Sequence, residues 1–459
     1  MSPFHPAIVA YFIISFDLYF FYKTILTAVH AVISYRAIQQ VKNISFSSFL
    51  RKKRNNIHHV IIIPNYKEPL SKLIETITAI SKQDYPFKEK VSVVLAFESR
   101  ETDAKKKGDA IKQLFSHSLG SIQYSFHTLV TGEVAGKASN QSWATRSVAL
   151  WAEKHNIPFE NILITICDAD SILPSNYLSY LTCEALKDED RKFHFYWAPV
   201  LLYNNFWKLP FFVRMQATLS SILRLAFLSQ GDSLIQISTY STTLWLLRSV
   251  GYWDVDIIPE DWHIYFQAFF THGKRVKTIP LFTLVNGDAV YSGSIFKTLV
   301  NRYEQEKRWA WGVSDIGYTV RKFASTPHIS IRDKAKRLQC LVETHLLWPI
   351  SFFILTISAS IPPLINPNFK RTVLGFILPQ LSGFILTLTS LFLILYVFLD
   401  IKLRNHLSIP TKMRFLPLLL IQWYLLPIIS FFLSALPSLE SHTRLLLGKK
   451  LEYKVTEKA

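Results

Sequence analysis

The feature that most constrains this 459-residue chain is where its apolar residues fall. Long apolar runs occupy 7–34, 346–365, 373–399 and 415–438, whereas 55–344 has the alternating, charged sequence of a water-soluble domain. With a rise of about 1.5 Å per residue, about 20 helical residues cross a bilayer, so each run is long enough. The chain reads as a soluble domain held between membrane segments.

Residues 7–34 read as a spanning anchor, with a membrane-surface helix as the other reading. The run is too long for a signal peptide and lacks a basic leading region and a small-residue cleavage site. Asp17 and Lys23 lie within it, and charges at that depth face protein or water. Arg51-Lys52-Lys53-Arg54 follows, and a basic run beside a span marks the cytoplasmic side. Three later spans would carry 439–459 to the other side. That tail holds Arg444, Lys449, Lys450, Lys454 and Lys458, which the same rule keeps inside. One of the three runs is therefore expected to be interfacial or re-entrant, and the pair Pro362-Pro363 points to 346–365.

Apolar residues make up 49% and aromatic residues 14% of the chain, which excludes disorder. The net charge of +18 fits nucleic acid, an anionic membrane surface or a phosphate-rich ligand. No nucleic-acid-binding motif is present, so no nucleic-acid partner is expected. Cys167, Cys183 and Cys340 are too scattered for a disulfide framework or a metal cluster and suit a reducing compartment.

The soluble part follows a βα rhythm. Val60–Pro64, Val91–Phe97, 121–130 and Ile162–Cys167 read as strands, and 69–81, 101–117 and 138–154 as helices. This implies a mostly parallel sheet covered on both faces, with the ligand site beyond the carboxyl ends of the strands. Tyr203–Ser229 mixes aromatics with Lys208, Arg214 and Arg224. It reads equally as a membrane-surface helix or a buried helix of the soluble domain.

The strand ends collect carboxylates. The first continues as Pro64-Asn65-Tyr66-Lys67-Glu68, the second as Glu98-Ser99-Arg100-Glu101, and Ile162–Cys167 as Asp168-Ala169-Asp170. Two carboxylates one residue apart suit a hard cation shared with substrate phosphates; as a local feature they also suit a capped, solvated turn. Gly132–Asn140, with Lys137, is a glycine loop opening into a helix, which suits a phosphate or an ordinary turn. Glu260-Asp261 precedes a helical pattern, either complementing the helix dipole or supplying a general base. Gln305, Arg308 and Trp309 share one helix face, where a guanidinium and an indole suit a diphosphate and a sugar or anchor the helix at a membrane interface.

In this order and spacing, Pro64–Glu68, Glu98, Gly136-Lys137, Asp168-Ala169-Asp170, Glu260-Asp261 and Gln305-x-x-Arg308-Trp309 resemble a family 2 glycosyltransferase. The likeness is to the multispanning membrane branch that includes cellulose and hyaluronan synthases. It covers residues 60–312, and the flanking spans agree.

The resemblance implies an α/β GT-A (Rossmann-like) domain with a mostly parallel sheet and flanking transmembrane helices. It implies inverting, metal-dependent transfer of a sugar from a UDP- or GDP-sugar to a lipid-linked or growing glycan acceptor. Asp261 would be the catalytic base, supported by Glu260. Asp170 would bind Mg2+ or Mn2+, and Asp168 would face the nucleotide-sugar. Pro64, Tyr66 and Glu68 would bind substrate, Glu98 (Asp in most relatives) would contact the base or ribose, and Lys137 would touch the nucleotide portion. Gln305, Arg308 and Trp309 would lie at the acceptor and diphosphate end. The expected division is a membrane anchor over 1–50, a cytosolic catalytic domain over 51–300, an interfacial segment over 301–344, a transmembrane region over 345–438 and a basic cytosolic tail over 439–459, all at the cell membrane. Tyr453–Lys458 resembles the F-x-V-T-x-K gating loop of cellulose synthase, with Tyr for Phe. The chain has fewer apolar runs than large polymer-secreting synthases, which keeps a lipid-linked acceptor beside a translocated polymer. The alternative is a non-catalytic membrane protein that keeps the fold and binds anionic lipid or a partner.

Overall fold

A computed structural model describes residues 1–53, 55–409, 417 and 421–451; Tyr453–Lys458 lies outside them. Three near-continuous apolar runs become strands buried on both faces, β1 (His58–Asn65), β2 (Val91–Glu98) and, after the partly exposed edge strand β3 (Ser121–His127), β4 (Ile162–Ile166). They are joined by β5 (His194–Trp197), β6 (Val200–Leu201), β7 (Tyr240–Thr243), β8 (Lys277–Pro280) and β9 (Val285–Asn286). Seven strands form one sheet in the order β3-β2-β1-β4-β7-β5-β8, and β6 pairs with β9. Among the described residues only β7 runs antiparallel to its sheet neighbours; the other paired strands are parallel. The expected α/β architecture is thus observed.

Alternate residues of β1 feed two cores. Val60 and Ile62 pack in one, Ile61 and Ile63 in the other, each side chain contributing about 1.5–3 kcal/mol. Helices Leu70–Ser81, Ala104–Phe115, Lys137–Lys154 and Tyr177–Lys187 pack their buried faces into these cores.

Register fixes where chemistry collects. Asn65 pairs with Phe97 and Ile62 with Ile166, so the carboxyl ends of β1, β2 and β4 share an edge. Because β7 is antiparallel, its first residue, Tyr240, stands opposite Ile166 and Trp197. Ser238 and Thr239, just before it, therefore reach the same edge.

The N-terminal helix Pro6–Val41 has 36 residues and is about 54 Å long. Its lower half enters the sheet's core through Ala28, Ala31 and Ile38. Both charges in its apolar part face protein: Ser382 donates to Asp17, and Lys23 pairs with Glu343. Residues 203–229 contain helix Phe211–Phe227, whose second half is buried in that core through Ile222, Leu225 and Ala226, while Met215 in its first turns packs against Ile429 and Leu433 of an apolar helix.

Among the described residues four helices are long and apolar enough to cross a membrane: Pro6–Val41, Ile331–Thr356, Val373–His406 and Gln422–Leu446. The first of the later three begins well before 346, because its first turns are polar and pack against the domain: Arg337 donates to the Asp232 carbonyl. Pro362-Pro363 starts a separate short helix, Ile361–Ile365. Side chains show which ends lie together. Asn366 donates to the Pro3 carbonyl at 3.1 Å, far from the sheet along the N-terminal helix. Gln39, at the sheet end, bonds His406 at 3.1 Å. Glu440 accepts from Tyr303 at 2.7 Å and pairs with Lys307 at 3.2 Å, both on helix Ile295–Ala310. The chain thus leaves His406 on the sheet side and is again on the sheet side at Glu440.

Candidate active site

Lys137 opens helix Lys137–Lys154 and is the cation around which the edge is organised. Its Nζ lies 2.8 Å from Asp168 Oδ1 and 3.1 Å from Glu260 Oε1, and donates to the Ser238 carbonyl at 3.2 Å. Burial opposes its charge, but Asp168, Glu260 and Asp261 together hold the ammonium protonated well above its ordinary range.

Glu260 and Asp261 are the first two residues of helix Glu260–His272. The Ser238 N–H donates to Asp261 Oδ2 at 2.8 Å and the Trp262 N–H to Oδ1 at 3.0 Å, while Gln236 donates to the Asp261 carbonyl at 2.9 Å. Burial raises both carboxyls above their usual range, and Lys137 opposes the rise. A carboxylate so raised is a stronger base than a solvated one. Ser238 also donates its hydroxyl to Asp168, and it holds φ +69°. Non-glycine residues seldom adopt this conformation, and it recurs at functional sites.

Helix Glu260–His272 is held by a second cluster. His263 bonds Asp315 at 2.6 Å and Asp254 at 2.9 Å. Burial opposes its charge, yet these two carboxylates push it up to about 9. Gly312 lies beside the same turn: a Cβ there would stand 2.9 Å from His345 Cε1 and 3.9 Å from Pro259.

Asp170, buried, accepts the Asp288 N–H at 3.1 Å. Asp288 is held by Lys72 at 2.6 Å and Asn204 at 2.9 Å, and its carboxyl is pushed up by burial and by Asp170. Among the described residues no group of three or more His, Cys, Asp or Glu is set to hold a metal. Asp168 and Asp170 supply two hard oxygen donors in a carboxylate-rich edge. That is the set Mg2+ or Mn2+ uses when substrate phosphates complete the shell, so these residues fit such an ion.

At the ends of β1 and β2, Arg100 donates to Glu98 at 2.9 Å and lies 4.7 Å from the Tyr66 ring centre. Pro64 is paired with Ala96 inside the sheet. The Glu68 carbonyl accepts from Lys107 at 2.9 Å. On helix Ile295–Ala310, Gln305 accepts from Arg302. Trp309 lies under Arg302 at 4.6 Å and Arg224 at 5.5 Å; Arg308 is half-buried on the same helix. Burial and Arg302 push Arg224 down to about 10, while Asp168 and Asp261 act in the opposite direction, so Arg224 links Trp309 to the carboxylates.

The structure thus brings Lys137, Asp168 and Glu260 into direct contact, joins Asp261 to Asp168 through Ser238, and joins Glu98 to Tyr66 through Arg100. It adds Ser238, Asp288, Lys72, Arg224 and Arg302. The sequence carries no motif for the first three; Arg224 stood out only as a basic residue among aromatics.

An α/β sheet with acidic residues along its carboxyl edge, set against membrane-length helices, is the architecture expected of a family 2 glycosyltransferase. The chain belongs to glycosyl transferase family group 2, whose family model matches residues 163–434, more than half of its length. Among solved structures, mannosyltransferase PcManGT from Pyrobaculum calidifontis, in complex with GDP-Man and Mn2+, is 14% identical, with 95% of this chain and 100% of that chain covered and a TM-score of 0.45. GalNAc-T7 with UDP, GalNAc and Mn2+ is also 14% identical, with 68% of this chain and 59% of that chain covered and a TM-score of 0.32. No curated protein matches the chain.

Proposed function

We propose that this glycosyltransferase moves a sugar, with inversion, from a UDP- or GDP-sugar to a lipid-linked or growing glycan acceptor at the cytosolic face of a membrane. The observation that carries this reading is the orientation of Asp261, whose two oxygens accept the Ser238 and Trp262 N–H groups at 2.8 and 3.0 Å beside Lys137.

Asp261 takes the proton of the acceptor hydroxyl as that oxygen attacks the anomeric carbon from the face opposite the diphosphate. Glu260, paired with Lys137, shapes the charge around the base. Asp168 faces the nucleotide-sugar, and Glu98, Tyr66 and Arg100 receive the nucleoside. Asp168 and Asp170 would hold Mg2+ or Mn2+, which when bound neutralises charge on the departing diphosphate. Gln305, Arg308 and Trp309 sit toward the diphosphate and acceptor, with Arg224 and Arg302 fixing the indole.

For the membrane, we infer three crossings, by Pro6–Val41, Ile331–Thr356 and Val373–His406. Gln422–Leu446 enters and returns on the catalytic side, as the His406 and Glu440 contacts support. The re-entrant element is then the last apolar run rather than 346–365, and the basic tail stays with the catalytic domain.

The test is nucleoside diphosphate release by the purified protein in lipid, across a panel of UDP- and GDP-sugars with Mn2+ or Mg2+. One donor should be turned over, release should stop with chelator, and Asp261→Asn should lower the rate at least about 10³-fold with unchanged melting. Full activity of Asp261→Asn would overturn the assignment of the base.

A further inference from the structure

A second concentration of buried charge lies outside this site, and it is basic. Arg214, near the start of helix Phe211–Phe227, is 7% exposed. Its guanidinium stands 5.7 Å from the ring centres of both Phe206 and Trp207. Arg404, fully buried, lies over the same rings at 4.7 and 5.6 Å. Among the described residues the carboxylate beside them is Asp400. Its Oδ2 accepts from Arg404 Nε at 3.0 Å and Nη2 at 2.7 Å, and its Oδ1 accepts from Thr218 at 3.1 Å.

Arg214 has no hydrogen-bond or ion-pair partner for its side chain among the described residues, and its Nε is wholly buried. Burial and the neighbouring Arg404 both press its pKa down, but a guanidinium stays charged at neutral pH. A buried charge without a counter-charge is expensive. The missing negative group is one a ligand can bring.

The position indicates which ligand. Asp400 and Arg404 stand at the sheet-side end of the membrane-length helix Val373–His406. Met215, next to Arg214, packs with Ile429 and Leu433 of another apolar helix. Where such helices end, lipid headgroups begin. Arg224, which senses Asp168 and Asp261, is ten residues further on, about 15 Å along the helix, so this place is distinct from the nucleotide end.

We propose that Arg214, with Arg404 and the Phe206 and Trp207 rings, binds the phosphate of a membrane lipid. The guanidinium fork matches two phosphate oxygens, and the rings give an apolar wall to the carbons that follow. The proposal goes beyond sugar transfer and does not rest on it.

The test is binding and melting of the full chain, purified in detergent and stripped of lipid. The probes are dioctanoyl phosphatidic acid, dioctanoylglycerol and inorganic phosphate. Phosphatidic acid should raise the melting temperature of the wild type and bind Arg214→Gln at least about tenfold more weakly. Without lipid, Arg214→Gln should melt no lower than the wild type, because it removes an uncompensated charge. Arg214→Lys keeps the charge but loses the fork, and carries the comparison if Arg214→Gln does not fold; its binding should also fall, and unchanged binding would overturn the fork. Equal binding of phosphatidic acid by wild type and Arg214→Gln, equal binding of dioctanoylglycerol, or a much lower melting point of lipid-free Arg214→Gln would each overturn the proposal. Inorganic phosphate bound as tightly as phosphatidic acid would identify a free-anion site and overturn the lipid assignment.

Discussion

Two regions of the molecule concentrate charge, with opposite shortages. At the carboxyl edge of the sheet, Asp168, Glu260 and Asp261 surround one lysine, Lys137. Beside helix Phe211–Phe227, Arg214 and Arg404 stand over the same two rings with one carboxylate, Asp400. The first region is short of positive charge and the second of negative charge. In each proposal the shortage matches what would enter: a cation with its diphosphate at the edge, a phosphate at the membrane end. The minority residue in each region also holds the majority in place, so removing it should matter most.

The largest effect is expected at Lys137. Lys137→Met should lower sugar transfer by about 10³-fold, which corresponds to about 4 kcal/mol of barrier. It should also move the acid limb of the pH–rate profile. In the proposed mechanism Asp261 acts deprotonated, so the rate should fall as pH drops through its pKa; burial has already lifted that pKa above the ordinary carboxylate range. Because Lys137 opposes the lift, its loss should move the limb to higher pH. A profile of kcat/KM against pH that does not move would break the view of Lys137 as the organising charge.

Next comes Asp400→Asn, which removes the carboxylate that accepts from Arg404 and Thr218 and should cost about 3 kcal/mol of stability. Denaturation in detergent measures it, and phosphatidic acid should restore more stability to this variant than to the wild type. Failure of the lipid to do so would make the two regions unlike in kind. The smallest effect is expected at Gly312→Ala. The added methyl must displace the buried His345 ring, at about 1–3 kcal/mol. Because the same turn carries Pro259, transfer should slow further than the melting temperature alone accounts for; activity at a temperature well below melting separates the two.

Much of the first region was legible in the residues. Val60–Pro64 and Ile162–Cys167 announce buried strands because both faces of each are covered, and Asp168, Glu260 and Asp261 stand where such strands and the helix start present them. Ser238 was not legible. It acts through the antiparallel entry of β7, whose sequence, Tyr-Ser-Thr-Thr, is polar yet buried, with Thr165 and Ser241 bonded at 2.7 Å. Hydropathy cannot mark such a strand, and direction is a property of the sheet. Asp288 meets Asp170 across 118 residues of sequence, and Lys72 meets Asp288 across still more, only through topology. The same limit applies to the membrane runs: length and hydropathy identify apolar segments, but whether one crosses depends on where its ends are tied, which Gln39, His406 and Glu440 reveal only in three dimensions.

The N-terminal helix has a mechanical consequence. It is about 54 Å long, while the hydrocarbon it crosses in the proposed arrangement is about 30 Å thick, and its lower part is built into the sheet. The catalytic edge therefore stands on a rigid post at a set height above the lipid, and cannot rise with a lengthening product. The hydroxyl to be modified must be delivered to that height, so the distance between the acceptor's anchor and its free end acts as a ruler. If the product grows by more than one sugar, the glycan itself has to travel while the enzyme stays still.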